Sequence, residues 1–92
     1  MIRSFADRKT KQFFEGRRIR AFQGFVEQAT RRLTVLDSAE ILQDLSELRS
    51  NRLEVLVGDR VGQYSIRINQ QWRICFRWEE DGPHAVEIVD YH

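Results

Sequence analysis

The stretch YSIRINQQWRICFRW, residues 64–78, alternates in two successive runs. Tyr64, Ile66 and Ile68 fall on one side of an extended chain, with Ser65, Arg67 and Asn69 on the other. Trp72, Ile74, Phe76 and Trp78 repeat the pattern against Arg73, Cys75 and Arg77. A side-chain period of two marks a strand with one buried face. Asn69, Gln70 and Gln71 supply a polar turn between the runs, so the pair reads as an antiparallel hairpin. Asp81, Gly82 and Pro83 predict the next turn, and a last strand passes through Val86 and Ile88 to about Asp90. Upstream, 53–57 reads as a further strand, followed by a loop at 58–62 with a glycine at each end.

The apolar side of this meander needs a cover, and the first half of the chain supplies helices. After a short extended segment at 2–5, Asp7 is a plausible N-cap for a helix that runs through Phe14 and stops at Gly16. A basic connector, Arg17, Arg18, Ile19 and Arg20, leads to a second helix. There Phe22, Phe25, Val26, Ala29, Leu33 and Leu36 recur at helical spacing, and Glu27, Gln28, Arg31 and Arg32 occupy the other side. Asp37, Ser38, Ala39 and Glu40 match a capping box. It would open a short helix with Ile41, Leu42, Leu45 and Leu48 on one face. The prediction is an α+β fold, with N-terminal helices packed on one face of a mostly antiparallel sheet.

The chain has 92 residues, 41% hydrophobic and 32% charged, which is the length and composition of one small globular domain. Its core is small, so a site must lie on an open surface or be completed by a partner. The single cysteine, Cys75, excludes an internal disulfide and a cysteine-based zinc site, and reads as a packing residue. No apolar run approaches the roughly 20 residues of a membrane helix. The first residues lack the apolar segment of a signal peptide, which predicts a cytoplasmic chain with no membrane partner. Charge is uneven: residues 1–32 carry a local +6, residues 33–59 a local −4 and the remainder −1. Thirteen of the 15 basic residues are arginine. That bias suits phosphate recognition, and a GC-rich genome produces it as well.

Arg67 and Arg73 flank one turn and should lie close together. Like charges repel unless an anion sits between them, and a phosphate would fit. A solvated face with Glu87 or Asp90 as counter-ions is the other reading. The final Asp90, Tyr91 and His92 combine groups that move protons or donate hydrogen bonds, and an imidazole has an ordinary pKa of about 6.5. Taken alone, such a terminus reads as structural or idle. His84, beside Pro83, reads as a surface residue.

Three segments together, MIRSF at 1–5, GDRVGQYSIRINQQWRICFRW at 58–78 and VEIVDYH at 86–92, resemble the HigB-type killer proteins of the RelE/ParE toxin superfamily. The resemblance spans essentially the whole chain. It implies a single RelE-like domain over residues 1–92 that needs neither metal nor cofactor. The implied activity is ribosome-dependent cleavage of messenger RNA. The implied partners are the 70S ribosome with its mRNA and a HigA-type helix-turn-helix antitoxin, through which operator DNA is reached. Mapped onto this chain, the family's active-site residues are Asp90, Tyr91 and His92, with Arg73. Arg73 would hold the scissile phosphate, His92 would transfer protons, Asp90 would orient His92, and Tyr91 would stack on a base or bond phosphate. Arg67 would assist Arg73.

Two positions depart from a well-known subset of the family. Glu54 stands where that subset has histidine, and Val57 where it has lysine. A carboxylate can still act as a base, though with an ordinary pKa of about 4.3 it is a weaker one at neutral pH. Glu54 is therefore a candidate base, or else a surface-strand residue. The basic first third offers Arg17, Arg18, Arg20, Arg31 and Arg32 for ribosomal RNA phosphates. The same residues could instead dock an antitoxin or simply be solvated. Since one fold hosts unrelated functions, the alternative is a non-enzymatic toxin that binds gyrase or the ribosome.

Overall fold

The computed structural model describes residues 1–90, so Tyr91 and His92 lie outside what is described. Three α-helices, α1 (Arg8–Phe14), α2 (Val26–Ser38) and α3 (Leu42–Glu47), precede the strands of the sheet. The strands are β1 (Glu54–Val55), β2 (Tyr64–Arg67), β3 (Trp72–Glu79) and β4 (Gly82–Asp90), arranged in that order with every neighbour antiparallel. The expected α+β architecture is present.

Asp7 caps α1 through its carboxylate, which accepts from Thr10 N (3.1 Å). At the other end Gly16 takes φ +96°, a left-handed conformation that costs glycine little, while Arg17 N reaches back to the Gln12 carbonyl. An Asp7→Ala variant should unfold about 1 kcal/mol more easily in urea, since one end donor of α1 loses its acceptor. The second helical segment starts as a 3₁₀ turn, Arg20–Phe25, before α2 takes over. The capping box expected at 37–40 is not formed. Asp37 still belongs to α2 and accepts from Ile2 N (2.8 Å), which anchors the chain start. Asp44 reaches back to Glu40 N and Ile41 N (2.9 and 3.2 Å) and organises the entry to α3.

The helices bury Phe22, Phe25, Ala29, Leu33, Leu36 and Leu45 against Ile66, Ile74, Phe76, Val86 and Ile88 of the sheet. Trp72 joins them, its ring 4.8 Å from Phe25 and 5.9 Å from Phe22. These are the alternating apolar positions of 64–78, all turned to one side as their period requires.

The N-terminal segment makes one parallel bridge, Phe5 to Val86, rather than a full strand. With backbone bonds from Arg3 N to the Pro83 carbonyl and Ala6 N to the Val86 carbonyl, and Thr10 Oγ1 accepting from Ile88 N, it covers the outer edge of β4. That edge would otherwise be a template for strand addition. Gly82 and Pro83 lie inside β4 and not in the turn, because the hairpin closes at Glu80 and Asp81. Gly82 is needed there: a Cβ would sit 2.9 Å from the Met1 carbonyl oxygen. Two β4 residues, Ala85 and Val86, face the single Phe76, and this bulge puts Ala85 at φ +52° with its N–H on Ser4 Oγ.

Candidate active site

The second face of the sheet is built around one cross-strand row. Glu54 pairs with Ser65, Ser65 with Cys75, and Cys75 with Glu87. A carboxylate stands at each end, with small side chains between. The next row brings Arg67 directly opposite Arg73, with Val89 beyond. Cross-strand partners share a face, so all of these side chains lie opposite the helices.

Arg73 is only 8% exposed. Its Nε donates to Ser65 Oγ (2.7 Å), and its Nη2 donates to the Arg52 carbonyl (2.6 Å). Glu54 Oε1 lies 3.8 Å from the same Nη2. Arg52 sits at φ +49°, so Arg73 holds a left-handed turn that leads directly into β1. The repulsion expected between Arg67 and Arg73 is relieved from two sides. Arg73 turns toward β1 and Glu54, while Arg67 Nε donates to the Asn69 carbonyl (3.1 Å). The counter-ion of Arg73 is thus Glu54, whereas Glu87 pairs with Arg60 at 3.3 Å. Cys75 is fully buried between these groups, and burial pushes its thiol above the ordinary value. It is a packing residue, as expected.

The structure therefore brings Glu54, Arg67 and Arg73 together, but not Asp90. Register places Asp90 beside Trp72, on the helix side, where its carboxylate accepts from Gln71 Nε2 (3.0 Å). The expected roles of Tyr91 and His92 fall outside the described residues. Arg17, Arg18, Arg20 and Arg31 are exposed. Arg32 is engaged: its Nη1 donates to Asn51 Oδ1 (2.8 Å), and burial with the neighbouring Arg31 lowers its pKa. Asn51 is fully buried and also donates to the Leu45 carbonyl, so Arg32 helps tie α2 and α3 to the approach to β1. A groove of about 690 Å³ beside α1 is lined by Arg3, Arg8, Lys11 and Arg17 together with Asp7 and Glu15. His84 sits at the hairpin end, 2.6 Å from Asp81, and this bond holds the Asp81 carboxyl below its usual range.

Two residues of the polar face were not singled out from sequence. Ser65 holds Arg73, and its parity with Arg67 and Arg73 was the available signal. Arg60 reaches the face from a loop, which no periodicity reveals. Among the described residues no group of three His, Cys, Asp or Glu side chains could hold a metal ion. Nor is any helix long and apolar enough to cross a membrane.

Comparison with known proteins agrees with this architecture. Residues 3–92 match the family described as the RelE-like toxin of type II toxin–antitoxin system HigB. Toxin HigB-1 of Vibrio cholerae serotype O1 is 39% identical over 94 aligned positions, covering 100% of this chain and 98% of the relative. Endoribonuclease HigB of Proteus vulgaris is 31% identical over 93 positions, covering all of both chains. Among solved structures, the YoeB–YefM complex from Staphylococcus aureus shares the fold, with a TM-score of 0.58 and 16% identity across 100% of this chain and 98% of that one. With a matching family model over nearly its full length, a sheet in the expected order and relatives of the same size, the chain belongs to the HigB family of RelE-like toxins of type II toxin–antitoxin systems.

Proposed function

We propose that this single-domain toxin is a ribosome-dependent, metal-independent mRNA endoribonuclease of the cytoplasm, restrained by a HigA-type antitoxin. The observation that carries the reading is the polar sheet face, where Arg67 opposes Arg73 and a carboxylate, Glu54, lies 3.8 Å from Arg73. The endoribonuclease name of the Proteus vulgaris relative supports it.

Cleavage uses the RNA's own 2′-hydroxyl as nucleophile. Glu54 accepts its proton, the 2′ oxygen bonds to the adjacent phosphorus, and the bond from phosphorus to the 5′ oxygen breaks. His92 gives a proton to that leaving oxygen. Charge on the phosphate oxygens is met by Arg67 and the outer side of Arg73. Tyr91 stacks on a base or bonds phosphate. Arg17, Arg18, Arg20 and Arg31, with the groove beside α1, face ribosomal RNA. Arg32 contributes to the same basic surface from its anchored position. Operator DNA is reached only through the antitoxin.

The test is incubation of a defined mRNA with purified toxin, with and without programmed ribosomes. Cuts that require the ribosome support the reading. Cuts in free RNA remove the ribosome dependence, and growth arrest without cuts points to a toxin that acts by binding alone. A Glu54→Gln variant checks the base. Its side chain is 51% exposed, so the ion pair adds little stability, about 0–1 kcal/mol. The single-turnover cleavage rate should nevertheless fall by about 10²-fold. An unchanged rate would remove Glu54 from the mechanism.

A further inference from the structure

Arg60 stands in the loop between β1 and β2, yet its guanidinium ends at β4. Nη1 donates to Glu87 Oε1 (3.3 Å) and to Gln63 Oε1 (3.1 Å). Glu87 belongs to the row that contains Glu54, Ser65 and Cys75, so Arg60 lies over the polar face from the side opposite Glu54. Cys75 lies in the row between Ser65, which accepts from Arg73, and Glu87, which pairs with Arg60.

The two arginines are engaged differently. Arg73 gives Nε and Nη2 to internal acceptors and is nearly closed off. Arg60 uses one nitrogen, and its side chain is 33% exposed. Its Nε and Nη2 make no hydrogen bond among the described residues. A guanidinium presents a planar fork, so one edge of Arg60 is anchored and the other is open. The loop does not depend on this side chain for closure. Leu56 N bonds the Gln63 carbonyl (2.9 Å), Val61 N the Gly58 carbonyl (3.2 Å) and Gln63 N the Arg60 carbonyl (3.0 Å). What the Glu87 contact adds is a fixed position over the sheet, which lowers the ordering cost when a ligand arrives.

We propose that Arg60, held in place by Glu87 and Gln63, is a further substrate-binding residue that grips an RNA backbone phosphate next to the one held at Arg67 and Arg73. This rests on the nuclease reading. Arg60, Arg67 and Arg73 form a run of cations on this face, spread from β2 and β3 toward β4, along which a single strand can lie. Arg60 holds the substrate and takes no part in proton transfer.

The experiment measures binding and chemistry separately. Binding uses 70S ribosomes programmed with an mRNA bearing 2′-O-methyl groups in the A-site codon, which cannot be cut. Cleavage uses the unmodified mRNA at saturating toxin. Arg60→Ala should weaken binding about 10-fold and leave the saturated rate within about twofold. Arg60→Lys should recover part of the affinity, because it keeps the charge but not the fork. Glu87→Gln is the decisive arm. It keeps an oxygen acceptor that holds Arg60 in place but removes the competing negative charge, so it should bind at least as tightly as the parent. If Arg60 only braces the loop, Glu87→Gln and Arg60→Ala will instead act alike and both will lower the saturated rate. That pattern, or unchanged binding in Arg60→Ala, overturns the proposal while wild-type cleavage stands. If the wild type binds the ribosome without cutting, the nuclease reading fails and this proposal with it.

Discussion

An Arg73→Ala variant is expected to lose both stability and cleavage, and by separable amounts. Removing the guanidinium leaves the Arg52 carbonyl and Ser65 Oγ without their donor beneath the polar face. Ser65 is fully buried, and a buried group stranded in this way costs about 1–3 kcal/mol. A domain of this size has about 5–15 kcal/mol in total, so the variant still folds. Its melting temperature should drop by about 4–8 °C for each kcal/mol lost. Cleavage should fall further than unfolding can explain, by about 10²–10³-fold, the usual effect of deleting one donor to a developing oxyanion. Arg73→Lys keeps a charge but cannot bridge Ser65 and Arg52 at once, and should lie between. The check is single-turnover cleavage at a temperature where urea titration shows each variant folded. A variant that melts early but cuts at the parental rate would make Arg73 a scaffold for β1 alone.

The engagement of Arg73 with Ser65 and Arg52 explains what was and was not legible in the sequence. The period of two over 64–78 identifies which side each residue takes, and Ile66, Ile74 and Phe76 are buried accordingly. It says nothing of what covers the other side. One expectation for that side is a solvated face, yet Ser65 and Arg73 are buried along with Cys75, because 52–63 approaches that face and Arg73 fills the gap. The approach to β1 could not be read locally: 53–57 has strand composition, yet only Glu54 and Val55 pair with β2. The closeness of Glu54 to Arg73 follows from that register and from the left-handed turn at Arg52, neither of which leaves a mark in composition. The position of Asp90 was available, since Val86 and Ile88 are its parity partners and both face the core. The motif drew Asp90 toward Arg73, whereas the alternation puts it on the opposite face. The capping box at 37–40 failed for a related reason. A four-residue pattern carries no information on where the preceding helix stops, and tertiary contact with Ile2 claimed Asp37 first.

The largest expected effect belongs to His92, which follows β4 in the sequence and whose role rests on chemistry. Departure of an unprotonated 5′ oxygen is the costly part of metal-free RNA cleavage, and no described side chain beside Glu54, Arg67 and Arg73 is suited to donate that proton at neutral pH. Glu54 is assigned to the first proton transfer, and arginine does not release a proton in this range. An imidazole with a pKa of about 6.5 can donate, and positioned acid catalysis is worth about 10²–10⁴-fold. His92→Ala should therefore reduce ribosome-dependent cleavage by about that factor, with antitoxin binding retained as evidence of an intact fold. The pH dependence gives a second readout. The wild-type rate should fall as pH rises above about 6.5, because the acid form is lost, and His92→Ala should lack this limb. Added imidazole should restore part of the rate to the alanine variant by supplying the missing proton donor. Cleavage by His92→Ala at the parental rate, with the same alkaline decline, would assign the proton to another group and leave the terminal histidine outside the reaction.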